Sequence, residues 1–108
     1  MSNRKEANVS SDLLVLLALR ERMSDENNWC QHSFEKDNEK RCMVGHLVDI
    51  LNLPILDCWS EEQFWKVNRY VKKMGFYSLG SAFIYNDGHK HHEVLKIIDK
   101  AIKRERGT

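Results

Sequence analysis

The chain has 108 residues, 42% hydrophobic and 31% charged, and its 17 basic and 16 acidic side chains leave a net charge of +1. That length builds one domain around one core, the composition excludes a disordered chain, and the near-balance of charge argues against a dedicated nucleic-acid binder, whose affinity comes largely from neutralising phosphates. Three cysteines without an export signal read as a reduced, cytoplasmic protein with no disulfide framework.

Residues 1–9 are polar and expected to fray, leaving residues 10–106 as a single helical domain. Ser10 or Ser11 offers a helix N-cap, and Asp12 places a negative charge in the first turn, where the helix dipole favours it. The run Leu13 to Leu19 (LLVLLAL) is too short to cross a bilayer, which takes roughly 20 apolar residues. Arg20-Glu21-Arg22 follows it with no cleavage site, so it reads as a central buried helix ending near Met23.

Ser24 to Asp37 reads as irregular, anchored by Trp29 and Phe34. A second helix is expected from about Asn38 to Asn52, with Met43, Val44, Leu47, Val48, Ile50 and Leu51 at helical spacing and Pro54 beyond its end. Ser60-Glu61-Glu62-Gln63 is a capping box that opens a third helix. Phe64, Val67, Val71 and Met74 form its apolar face, Trp65 and Tyr70 its exposed flank, and Gly75 its stop. Ser81 to Tyr85 (SAFIY) is aromatic and β-branched, and predicts a short extended segment that pairs near Trp29. Asn86-Asp87-Gly88 predicts a turn. A C-terminal helix from about Lys90 turns Val94, Leu95, Ile98, Ala101 and Ile102 inward, and its basic end suits the dipole or, alternatively, could contact nucleic acid. The expected fold is mainly α: a compact bundle of about four helices with one short extended segment at 81–85.

Several of these residues fall into an ordered pattern: Trp29, Gln31, Phe34 and Asp37; Cys42 and Gly45; Asn86 and Asp87; His91, Glu93, Val94 and Leu95; and Ala101-Ile102. In that order they resemble a family of small bacterial and phage-borne proteins known as a domain of unknown function. Its members run Trp-x-Gln, then Cys-x-x-Gly at a helix start, then an Asn-Asp turn and a helix with His-x-Glu-Val-Leu. The resemblance spans about residues 10 to 105. Two departures stand out: His46 replaces a usual alanine, and the turn before His91 is short. The resemblance implies a fold but no activity.

Three chemistries compete for the polar residues. Cys30-x-His32 with Cys42-x-x-x-His46 supplies zinc donors, and Cys42 and His46 share one helix face. Cys30 and His32, however, point apart on an extended chain, so no metal and no cofactor is expected. Alternatively, Cys42 near a helix start would have a lowered thiol pKa. His91 could then act as base, Asp87 or Asn86 could orient it, and Gln31 could donate to an oxyanion, as in a thiol-dependent hydrolase or acyl transferase. The third reading is structural: Cys42 and Gly45 form a packing notch, Trp29 lids the core, and Gln31, Asn86 and Asp87 fix loops. It leads to a small, non-catalytic regulatory or interaction protein that binds a macromolecule, a protein rather than nucleic acid. Its surface would be the seam of Trp29, Gln31, Asn86 and Asp87, or the flank of Trp65 and Tyr70.

Overall fold

The computed structural model describes residues 10–37, 40–54 and 59–107. The expectation of a frayed 1–9 segment lies outside them. Ser10 caps α1 (Ser11–Met23), its hydroxyl accepting from the Leu13 amide. Leu13, Leu16, Leu19 and Met23 are buried along it, and α1 packs chiefly against the last helix and the second. A 3-10 turn, Glu26–Asn28, carries the chain to Trp29.

The second helix starts at Met43, the first residue of its apolar stripe, rather than near Asn38, which lies outside the described residues. Glu35–Lys36 (β1) and Lys40–Arg41 (β2) form a small antiparallel hairpin, with Glu35 opposite Arg41. The helix, α2 (Met43–Ile50), begins only after Cys42, whose own amide is drawn back to the Phe34 carbonyl. Trp29 bridges to Arg41 in parallel. The strand that pairs near Trp29 is therefore the one before α2, and segment 81–85 does not pair there. Asn52 takes a positive φ of 59°, and its neighbour Leu53 donates to Val48 O, closing α2 as a glycine would.

Ser60 and Gln63 form the expected reciprocal capping box on α3 (Glu61–Lys73). The helix closes at Gly75 (φ 93°), where Gly75 donates to Lys72 O and Phe76 to Val71 O. Val67, Val71 and Met74 reach the core, but Phe64 stays substantially exposed, and Tyr70 is buried rather than on an exposed flank.

The extended segment expected at 81–85 is instead helical, within α4 (Leu79–Gly88). Ser78 is the reason. Its hydroxyl caps the helix by accepting from the Ser81 amide, and Ala82 and Asn86 then stack one turn apart on the inward face. Asn86-Asp87-Gly88 is accordingly the last turn of a helix. α5 (His91–Gly107) follows, burying His91, Val94, Ile98, Ala101 and Ile102. Five α-helices and one hairpin among the described residues thus enclose one continuous apolar core.

Candidate functional site

Asn86 is wholly buried where three chain segments meet. Its Oδ1 accepts from the Trp29 indole Nε1–H at 2.7 Å and from the Met43 amide, the first of α2, at 3.1 Å. Its Nδ2 donates to the Cys30 carbonyl at 3.1 Å and to Asp87 Oδ1 at 3.2 Å. One amide therefore uses two acceptor and two donor positions, its full capacity. It joins the end of α4, the start of α2 and the Trp29 loop.

Gln31 completes the seam. Its Nε2 lies 2.8 Å from His89 O, 3.2 Å from Asn86 O and 3.3 Å from Asp87 O, so the side chain caps the orphan carbonyls at the end of α4. Asp87 Oδ1 in turn accepts from the His32 amide at 2.7 Å, where His32 holds a positive φ of 64°. The Trp29 loop and the Asn86-Asp87 segment do fold against each other.

Two histidines clamp the preceding stretch from opposite helices. His91 lies 2.5 Å from Met23 O and His46 lies 2.8 Å from Asn28 O, each through Nε2. A carbonyl only accepts, so in both rings Nε2 carries the proton. His46 Nδ1 is buried without a partner among the described residues, and burial holds its pKa below the ordinary value. His89 similarly donates through Nδ1 to Tyr85 O and stacks on the Tyr85 ring at 3.6 Å.

The thiol does not have the character its position implied. Cys42 is the N-cap of α2, with Sγ accepting from the Gly45 amide at 3.3 Å, but only 1% of the residue is exposed. Burial outweighs the helix-terminal hydrogen bonds and pushes the thiol up to about 11, opposite to the expected lowering. Among the described residues no hydrogen bond joins Cys42 to His91. Cys30 is also buried and donates to Ser33 O, and no group of three or more metal-ligating residues assembles among the described residues.

Gly45 is the notch its spacing implied. A Cβ there would lie 2.6 Å from the Phe34 carbonyl oxygen and 3.0 Å from Arg41 Cβ. The hairpin therefore sits directly on the helix at this point.

Above the buried network lies a cleft of about 500 Å3, walled by Trp29, Gln31 and Glu26 on one side and by Asp87, His89 and His92 on the other. A second hollow of about 440 Å3 continues past Trp29 and Gln31 toward Lys36 and Lys40. Trp29 and Gln31 thus border both hollows, although only 9% of Trp29 is exposed, and Asn86 lies wholly beneath the surface. Elsewhere, Trp65 stands 58% exposed, while the Tyr70 hydroxyl turns inward to Asp12 at 2.9 Å.

An ion network beside Tyr70 went unread in the sequence. Asp12 accepts from Arg69 Nε and Nη2 (2.7–3.1 Å) and pairs with Lys73 at 3.3 Å, and Lys73 also pairs with Glu105. The Arg69 hydrogen bond, aided by those of Tyr70 and Lys73, lowers the Asp12 pKa to about 2. Only the position of Asp12 in a first turn was a signal. Comparison of the chain with models of known families, with curated proteins and with solved structures finds no match.

Proposed function

We propose that this protein is a small non-catalytic binding module that recognises another protein through the cleft bordered by Gln31, Glu26, Asp87 and His92. The observation that carries the reading is the saturation of Asn86. Because its hydrogen bonds hold the loop to two helix ends, both cleft walls are pre-organised, which reduces the ordering cost of docking. Glu26, Lys90, His92 and Glu93 give the cleft a polar lining of both charges over the largely buried indole, to which a complementary polar protein surface can dock.

Thiol chemistry is the weaker reading, since a buried sulfur with a raised pKa is a poor nucleophile. The test is photo-crosslinking from position 92 in a lysate of the source cell, repeated with Glu26→Lys, Lys90→Glu and Cys42→Ser. The proposal expects one protein partner that Cys42→Ser retains and the two charge reversals lose. Capture indifferent to both reversals contradicts it, and covalent labelling of Cys42 that depends on His91 would establish the thiol reading instead.

A further inference from the structure

The charges that nearly cancel over the whole chain are segregated along it. Between Gln63 and Asn86 there are four cations (Lys66, Arg69, Lys72 and Lys73) and no carboxylate. Lys66, Arg69 and Lys72 are exposed on α3 beside Trp65, and with it, Asn68 and one carboxylate, Glu62, they line a shallow groove of about 370 Å3, three cations to one anion. Residues 65, 69 and 72 recur at helical spacing, so the indole and two of the cations share one face. The Phe64 and Trp65 ring centroids lie 6.2 Å apart in an edge-to-face arrangement. Arg69 is tethered by Asp12 while 61% of its side chain stays open to solvent, which makes it a pre-positioned cation.

Arg104 of α5 borders this surface, donating to the Lys73 carbonyl at 2.8 Å at the end of α3. Arg104 is thirteen residues from His91, or about 20 Å along the helix. The basic face is therefore remote from the cleft that His91 lines.

We propose that the Trp65 face of α3 binds single-stranded nucleic acid, a base stacking on Trp65 while Lys66, Arg69 and Lys72 contact the flanking phosphates. Charge complementarity selects an anionic partner. A single strand alternates phosphates with flat bases, and an open indole among cations matches both features. A carboxylate-rich peptide would use the cations and leave the ring idle, and paired bases present no free face to a side chain on a convex helix.

The experiment is fluorescence anisotropy of a labelled single-stranded oligonucleotide of about 12 residues, titrated with the full chain at several salt concentrations. Binding is expected to weaken with salt along a log–log slope of about −2, as for three neutralised phosphates. Trp65→Ala should weaken it about tenfold with the salt slope unchanged. Lys66→Glu with Lys72→Glu should flatten the slope by about 1.4. These three side chains are exposed, so an unchanged circular-dichroism spectrum verifies the fold of each variant. No binding at low salt overturns the proposal, as does binding indifferent to Trp65→Ala. So does tighter binding of a polyglutamate peptide or of duplex DNA of equal charge. Cleft variants such as Glu26→Lys leave this binding intact, so its failure is distinct from failure of the protein-docking reading.

Discussion

Asn86 shows how much one buried amide can fix. Asn86→Ala leaves the Trp29 indole, the Met43 amide and the Cys30 carbonyl without their partner, three polar groups in a dry site. Each such loss costs about 1–3 kcal/mol, so a total of at least about 3 kcal/mol is expected in urea denaturation. Asn86→Asp keeps the shape but sets an oxygen against Cys30 O and Asp87 Oδ1, and should lose a comparable amount. His46 adds a pH dependence. Its folded pKa lies below the ordinary 6.5, so its contribution is fully present above that value and is lost as pH falls below it. His46→Gln can still donate to Asn28 O without titrating, and the part of the stability loss between pH 7 and 5 due to this residue should vanish in that variant.

Among the elements, the hairpin and α2 meet with no room to spare. A methyl at position 45 would overlap the backbone oxygen of Phe34, which cannot rotate away, so Gly45→Ala is expected to cost about 1–3 kcal/mol in thermal or urea unfolding. Ala is the better helix former, and a stabilised variant would contradict the packing. Helices with strong local signals were legible in the sequence: the capping box of α3, the serine cap of α1 and the apolar spacing of α5 all act within one element. α4 was not. Its aromatic and β-branched residues imitate a strand, and only the serine cap at Ser78 with the Ala82–Asn86 spacing reveals a helix. The beginning of α2 was misplaced because Lys40–Arg41 is held by a hairpin and by the Trp29 loop, partners distant in the sequence.

Across the whole molecule, Asp12 ties the start of α1 to α3, and Lys73 continues the tie to Glu105 on α5. A carboxyl held at about 2 rather than 3.8 contributes stability that is present above pH 4 and lost as pH falls toward 2. Because Arg69 is solvent-screened, the contribution is about 1–2 kcal/mol, and Asp12→Asn should remove that part of the acid sensitivity in urea titrations at pH 5 and pH 2.5. The site followed the same rule as the fold. The meeting of Trp29 and Gln31 with Asn86 and Asp87 was legible as a set of polar residues needing partners, whereas the inward turn of Tyr70 and the raised Cys42 pKa depend on burial, which spacing does not report.

The most direct measurement is hydrogen exchange of the tryptophan indole N–H groups, followed by NMR at neutral pH. Trp29 Nε1–H, held by Asn86 beneath the cleft, is expected to exchange only through global unfolding, orders of magnitude more slowly than the exposed Trp65 indole, and to lose that protection in Asn86→Ala. Exchange of Trp29 as fast as that of Trp65 would mean that the loop is not pinned, and that the cleft has no fixed wall.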